Sequence, residues 1–222
     1  MVKTTLCYIE KDGKYLMLYR NKKKNDLNKP ENLAYVLERV DVDSYFDHCA
    51  FEIICGNEDI NNSKYYKLPG GKWKWILYDL DSAMRRMNKR PLEWLMESKT
   101  KPAAHDFDHF LFAGLMEVPE MRDRFFTRMG ELLVTRFTPA FLTERLDQWV
   151  ERYAPIMAYQ FLARPSLKEE TWYESIDQFR KQLLTWPEHA VEITQSIFRL
   201  TDTQTEQYFG SFLSAYREFN RK

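Results

Sequence analysis

The chain carries no excess charge of either sign: 33 Lys and Arg balance 33 Asp and Glu over 222 residues. A balanced surface sets up no global field that would gather nucleic acid or an anionic membrane, so neither is expected as a main partner. Local runs such as Lys22-Lys23-Lys24 and Arg85-Arg86 read as solvated surface. Cysteine is scarce as well. Cys7, Cys49 and Cys55 are an odd number without metal-ligand spacing, and the last two stand in an apolar stretch where cysteine serves as a small hydrophobe. A disulfide framework is therefore not expected. No apolar run reaches the ~18 residues that span a bilayer, and charges interrupt the N-terminal MVKTTLCYIEKDGKY, so no signal peptide is read there. As written, the chain is expected to be soluble and cytoplasmic. It has neither an internal repeat nor a low-complexity tract.

What is present is apolar and aromatic, 44% and 15% of the residues, which suffices for one sizeable core or a modest core with an appendage. Thr4 to Glu10 and Tyr15 to Arg20 are rich in strand formers around the turn Lys11-Asp12-Gly13, which predicts a β-hairpin. Lys22 to Pro30 is polar and without apolar period, a linker and the best boundary. Asp43 is placed as the cap of a helix running to about Ile54, with Tyr45, Phe46, Cys49, Ala50, Ile53 and Ile54 as its apolar stripe and Cys55-Gly56-Asn57 as its stop. A loop from Glu58 to Asn62 leads to a strand at Lys64–Leu68, a turn at Pro69-Gly70-Gly71 and a return strand at Lys72–Tyr78. Ile76 interrupts the alternation of that strand as burial on both faces would allow.

After Asp81 the pattern is helical throughout. Helices are expected at 82–88, 91–98, 105–116, 119–136, 139–163, 168–185, 187–199 and 202–218, with Pro119 and Pro139 in first turns and Asp202 as a cap. Pro155 should kink or split its helix. Phe125, Phe126, Phe137, Phe141, Trp149 and Tyr153 read as core rather than as a ligand cage.

The chemistry concentrates between Gly56 and Asp81, in GNEDINNSKYYKLPGGKWKWILYDLD. Asp79 and Asp81 are two residues apart at an expected strand end, where side chains at i and i+2 share a face. Two close carboxylates resist joint ionisation unless a cation lies between them, and magnesium prefers such hard oxygen ligands. Asp59 and Asn62 occupy the loop before the paired strand. An Asp able to accept a hydroxyl proton, an Asn and a strand-end Asp on one metal form a layout for phosphoryl transfer. The bland alternatives are a helix cap at Asp81, a solvated strand end at Asp79 and ordinary turn residues at Asn61 and Asn62; spacing alone leaves both readings open. His105-Asp106-Phe107-Asp108-His109 reads as a helix start with acid near its N-terminus. Gly70-Gly71 is a turn, not a phosphate loop.

Longer ordered matches go further. Glu31-Asn32-Leu33-Ala34-Tyr35, Val40-Asp41-Val42-Asp43-Ser44-Tyr45-Phe46, Phe51-Glu52-Ile53, Gly56-Asn57-Glu58-Asp59, Asn62, Lys64-Tyr65-Tyr66 and Gly71 through Asp81 together resemble the CotH-type protein kinase family. So do Pro119 to Phe126, Glu131-Leu132-Leu133 and Phe137-Thr138-Pro139, so that the resemblance covers roughly residues 26–222. It implies an atypical kinase-like fold, ATP and Mg2+ as cofactors, and a protein substrate, a spore-coat or surface protein, since the family is known from spore coats and from surface or secreted proteins. It also implies Asp59 as the catalytic Asp, with Asn62 and Asp79 on the nucleotide-bound metal and Asp81 beside them.

Residues 1–25 do not fit that family. Thr4 to Arg20 resembles the first two strands of a Nudix hydrolase, yet the Gly-rich turn and acidic helix of the Nudix signature are absent, so no metal-assisted pyrophosphate hydrolysis is expected from it. Only about 25 residues stand where a kinase has its small lobe, with its phosphate-pairing Lys; the sequence by itself therefore leads us to expect an impaired or inactive copy, or one completed by a missing N-terminal half. The fold class expected is α+β: an N-terminal β-hairpin, a short two-stranded element bearing the acidic site, and a large helical C-terminal lobe. The leading function is Mg-dependent phosphoryl transfer from ATP to a protein hydroxyl. The alternative is a non-catalytic helical interaction fragment, and a Nudix-type nucleotide pyrophosphatase is the least favoured.

Overall fold

The apolar stripe Tyr45, Phe46, Cys49, Ala50, Ile53 and Ile54 is buried on one helix, and the N-terminal half of the chain is organised around it. This computed structural model describes residues 9–11, 14–16, 26–59, 63–85, 90–97 and 107–221. The architecture is α+β, with two small antiparallel sheets and helices for most of the rest. The chain divides into two compact units, Met1–Met129 and Gly130–Lys222.

In the first unit, strands β1 (Ile9–Lys11) and β2 (Lys14–Leu16) pair as a hairpin, with Ile9 opposite Leu16 and Lys11 opposite Lys14. The rest of the expected hairpin lies outside the described residues, as does most of the expected linker. Helix α1 (Pro30–Arg39) starts at the end of that linker, with proline in its first turn, a position that wastes no hydrogen bond. Helix α2 (Val42–Ile54) is capped by Asp41, whose Oδ1 accepts the Ser44 amide at 3.1 Å. Asp43, expected as the cap, lies instead inside the first turn, because only Asp41 has the extended backbone that lets its side chain reach back.

The helix is followed by the hairpin β3 (Lys64–Tyr66) and β4 (Lys74–Ile76), with Tyr65 opposite Trp75. Both strands are shorter than expected. Ile76, expected in a strand buried on both faces, is 44% exposed: the inner face is Tyr65 and Trp75, and the outer face has no cover among the described residues. The inner face stacks on α2, the Trp75 ring centroid 4.6 Å from that of Tyr45 and 5.7 Å from that of Tyr65. Ser44 Oγ accepts the Trp75 amide at 3.0 Å, and Trp73 exchanges backbone bonds with Arg39 and Asp41, so β4 is sewn to the α1–α2 junction.

Helix α3 (Arg90–Glu97) packs on α4 (Phe107–Glu117) and on α2. Helix α5 (Pro119–Arg136) follows, and its first turns bring Phe125 edge-on to Phe46 at 5.4 Å and to Phe112 at 5.0 Å. On the surface of the same contact Arg128 grips Asp47 with two bonds, 2.6 and 2.9 Å, and Arg124 holds Asp43 at 2.8 Å. No helix forms at 81–84, where the chain makes a turn; the remainder of the helix expected over 82–88 runs largely outside the described residues.

The second unit holds the end of α5, then α6 (Pro139–Ala163), α7 (Glu169–Phe198) and α8 (Asp202–Phe219), with α6 and α8 both packed on α7. Pro155 does not split α6. Nor does Pro187 divide the stretch expected as two helices: α7 is continuous, and burial of Leu183, Trp186, Ala190 and Val191 around the proline offsets its lost hydrogen bond. Asp202, expected as a cap, is the first helical residue. The cap of α8 is Thr201, in a reciprocal box with Gln204. Phe137 is core as expected, whereas Trp149 is 63% exposed and stacks at 4.2 Å on Tyr153 outside it.

Candidate functional site

Asp59 is placed by the way α2 ends. The helix closes with Gly56 in the left-handed conformation, φ 57°, which costs a residue without Cβ little. The Gly56 amide donates to the Ile53 carbonyl at 3.2 Å and the Asn57 amide to Glu52 at 3.1 Å, the two bonds of a Schellman stop. That stop buries Asn57, which is 1% exposed. Its Oδ1 then accepts the Asp59 amide at 3.2 Å, a side-chain turn typical of Asn. Three consecutive local devices thus fix the backbone at Asp59.

Asp79 and Asp81 lead into a turn that is bonded to the same end of α2. β4 ends at Ile76, so the pleat that would put both carboxylates on one face does not extend to them. Asp79 adopts φ 56°, a left-handed backbone that few residues other than glycine accept, Asp and Asn being the most tolerant. The Ala83 amide donates to Leu80 at 3.0 Å, closing a turn, and the Met84 amide donates to the Cys55 carbonyl at 2.8 Å. This last bond pins the Asp79–Asp81 segment to the residue from which the Asp59 loop departs. Both carboxylates are exposed, and Asp81 is loosely paired with Arg85 at 3.7 Å. Asn62 lies outside the described residues, as do His105 and Asp106 and the side chains of Asp108 and His109.

Beneath Asp59 lies a polar cluster that the sequence reading missed. Glu52 and His48, on the inner side of α2, are 3% and 6% exposed. His48 Nδ1, Glu52 Oε2 and Asn57 Nδ2 are buried without a hydrogen-bond partner. Burial pushes the Glu52 carboxyl up to about 7; the Asn57 side-chain amide, near it but outside hydrogen-bonding geometry, opposes the rise and the nearby Asp59 charge adds to it. Burial alone pushes His48 down to about 4. The signal was present in the sequence, since Glu52 and His48 interrupt an otherwise apolar helix face at i, i+4 spacing. Cys55, free and buried, has its thiol pushed upward by the same burial, which makes it an inert hydrophobe rather than a nucleophile.

An open cleft of about 490 Å³ lies between α2 and β4, lined among others by Asp41, Asp47, His48, Lys74 and Leu77. Its carboxylates are already committed: Asp47 to Arg128 and Asp41 to Lys74 at 3.0 Å. Burial would raise the Asp41 carboxyl, but the Ser44 amide and Lys74 outweigh it and hold it below the ordinary range. The cleft is therefore a salt-bridged wall rather than a vacant ligand set.

Among the described residues no group of three His, Cys, Asp or Glu converges as a metal cage. Magnesium that is shared with phosphate oxygens needs only one or two protein carboxylates and keeps several waters. The exposed pair Asp79 and Asp81 fits that mode and does not fit a dedicated all-protein site. No helix among the described residues is long and apolar enough to cross a membrane.

A family model described as CotH kinase protein matches residues 8–186. The match takes in most of the N-terminal segment that the sequence reading set apart, and it ends within α7. No curated protein and no solved structure gives a significant match.

Proposed function

Because the chain belongs to the CotH kinase family, we propose that it performs CotH-type phosphoryl transfer, from ATP to the hydroxyl of a protein substrate. The observation that carries the proposal is the 2.8 Å bond from the Met84 amide to the Cys55 carbonyl, which anchors the Asp79–Asp81 turn at the root of the Asp59 loop. Asp59, its backbone fixed by Asn57, would orient the hydroxyl and take its proton. Asp79 and Asp81, with Asn62, would hold the magnesium that arrives with the nucleotide. When bound, that ion supplies neutralisation of the phosphate charge. Positioning and electrostatics are most of what such a transfer needs, so exposed carboxylates on an anchored turn are suitable groups. The proposed fold around them is the atypical kinase-like one, and the proposed substrate is a spore-coat or surface protein.

The test is calorimetric titration of the chain with ATP in the presence and absence of Mg2+, beside Asp79→Ala. Magnesium-dependent binding that disappears in the variant supports the assignment. A well-folded wild-type chain that binds no nucleotide sinks autonomous catalysis.

A second reading, a non-catalytic helical interaction module, draws on one observation. In the second unit α6 leaves Ile156, Tyr159 and Leu162 exposed beside Trp149, an apolar concentration of the kind that partners cover. Under this reading the protein captures a partner through α6 and shows no nucleotide dependence.

A further inference from the structure

From Ser63 to Tyr78 every charged residue is a lysine: Lys64, Lys67, Lys72 and Lys74. In a chain of zero net charge this is a local concentration of one sign. All four are exposed. The register of the β3–β4 hairpin places Lys64 opposite Ile76 and Tyr66 opposite Lys74, so the outer face alternates cationic and apolar side chains. Tyr66, Ile76, Leu77 and Tyr78 are each more than 40% exposed and Leu68 is 66% exposed, too much apolar surface for so small a hairpin to leave without use. At the turn, Gly70, φ 74°, has no described atom within 4 Å of where a Cβ would sit.

The two ends of the hairpin differ in charge. Lys67 and Lys72 flank the turn, while the other end runs through Leu77 and Tyr78 into Asp79. Of the four lysines, Lys74 is engaged by Asp41 at 3.0 Å, Lys72 adds a weaker attraction to the same carboxylate, and Lys64 lies 5.0 Å from the Tyr78 ring centroid. Tyr66 and Tyr78 offer rings on which a base could stack, but the aliphatic Leu68, Ile76 and Leu77 break any continuous stacking row and the chain's zero net charge gathers no nucleic acid.

We propose that the outer face of the β3–β4 hairpin docks an acidic segment of the protein substrate, with acidic side chains at Lys67 and Lys72 and an apolar side chain over Tyr66 and Ile76. The inference rests on the phosphoryl-transfer reading for what lies at the far end, where the hydroxyl would meet Asp59 and Asp79. It also fixes a distance. Lys72 and Asp79 are seven residues apart along the chain, so a substrate lying extended beside it, at about 3.3 Å per residue, holds its acidic residues within about seven residues of the hydroxyl. Complementary charge of this kind selects partners and speeds encounter more than it deepens affinity.

The probe is a fluorescently labelled synthetic peptide with one Ser, a central Leu pair and a run of Glu about seven residues from the Ser. Anisotropy is read without nucleotide. The acidic peptide should bind, bind less as salt is raised, and weaken roughly fivefold or more in Lys67→Glu/Lys72→Glu, two exposed turn changes. A matched peptide with Lys for Glu should not bind. Absence of binding, indifference to the charge reversal, or displacement of the peptide by MgATP would each overturn the proposal. So would phosphatidylserine vesicles that bind through the same lysines while the peptide does not. A chain that binds the peptide but not MgATP would uphold the docking face and sink only the phosphoryl-transfer reading.

Discussion

His48 and Glu52 lie one helical turn apart on α2, buried together, with Nδ1 3.9 Å from Oε1. That separation is too long for a hydrogen bond, and both His48 Nδ1 and Glu52 Oε2 are without partners. A buried ion pair survives only when further hydrogen bonds satisfy its charges. The pair is therefore neutral: His48 is held down to about 4 and Glu52 up to about 7, each by burial first. Relative to the unfolded chain at mild acid pH, one proton has moved from the histidine to the glutamate.

This has a definite consequence for stability. Between the ordinary values of 4.5 for Glu and 6.5 for His, the unfolded chain holds a proton on His48 and the folded chain holds one on Glu52. Proton counts match, so the two contributions cancel and the pair adds no pH slope in that window. Glu52→Gln leaves His48 alone. Stability in urea melts should then rise with pH from about 4 to 6.5, by up to about 3 kcal/mol. His48→Gln leaves Glu52 alone, whose raised value makes stability fall from 4.5 to about 7. Carbon-detected NMR of the Glu52 carboxyl reports directly, with an expected midpoint of about 7. A midpoint at or below 4.5 would show a charged pair and sink the argument.

Much of this was legible in the residues, and the misses have physical causes. The α2 stripe, the stop at Gly56 and the spans of α5 and α6 follow from apolar period, glycine and first-turn proline. Caps shifted by one or two residues at Asp41 and Thr201, because capping depends on which residue adopts an extended backbone and not on composition alone. Pro187 misled because its cost is local while the burial that offsets it is tertiary. At the site, the helix stop at Gly56-Asn57 and the loop after it were legible, whereas the Asn57 side-chain bond that fixes Asp59 within that loop was not. The bond from Met84 to Cys55 was not, since no pattern encodes a contact between a turn and a distant helix end. The division at Met129 and Gly130 falls inside α5, where no linker composition marks it.

Two glycines in the second unit should respond oppositely to alanine. A Cβ on Gly130 would meet the backbone carbonyl of Tyr208 at a distance no real contact shows. Backbone cannot rotate away, so Gly130→Ala should destabilise by about 1–3 kcal/mol through overpacking. A Cβ on Gly210 meets only the Glu206 carboxylate, the far end of a flexible side chain. Gly210→Ala should be neutral or should gain up to about 1 kcal/mol of helix propensity. Thermal melts of the two variants decide it, and equal losses would mean that Gly130 does not set the approach of α8.

The cap of α8 offers a cleaner comparison. Thr201 Oγ1 accepts the Gln204 amide at 3.2 Å while Gln204 Oε1 accepts the Thr201 amide at 2.9 Å. Thr201→Ala should cost about 1 kcal/mol. Asp202→Ala removes an acid in the first turn, which near a helix N-terminus is worth about 0.3–1 kcal/mol and is screened by salt, together with the exposed bond that its Oδ1 accepts from Gln195 Nε2 at 3.1 Å. In urea melts the Thr201 loss should persist at high salt and the Asp202 loss should shrink. Salt sensitivity at Thr201 instead would assign the cap to charge and not to hydrogen bonding.

Asp79 allows function and stability to be pulled apart at one position. Its left-handed backbone, φ 56°, is strained for any residue with a Cβ, and such strain tends to persist where the side chain is needed. Asp79→Gly relieves the strain and deletes the carboxylate together. Folding stability should change by no more than about 1 kcal/mol, since relief of native strain works against the loss of the carboxylate's local interaction and the greater freedom of glycine in the unfolded chain. Asp79→Asn keeps the shape and the tolerance for this backbone while removing the charge. If the carboxylate holds nucleotide-bound magnesium, both variants should lose Mg-dependent ATP binding in calorimetry while melting no earlier than the wild type by more than a few degrees. Retained binding in Asp79→Asn would mean that charge at this position is dispensable, and the metal role would pass to Asp81. A large loss of stability in Asp79→Gly would mean that the carboxylate is structural, bonded where it stands, and that the left-handed backbone serves the fold rather than the chemistry.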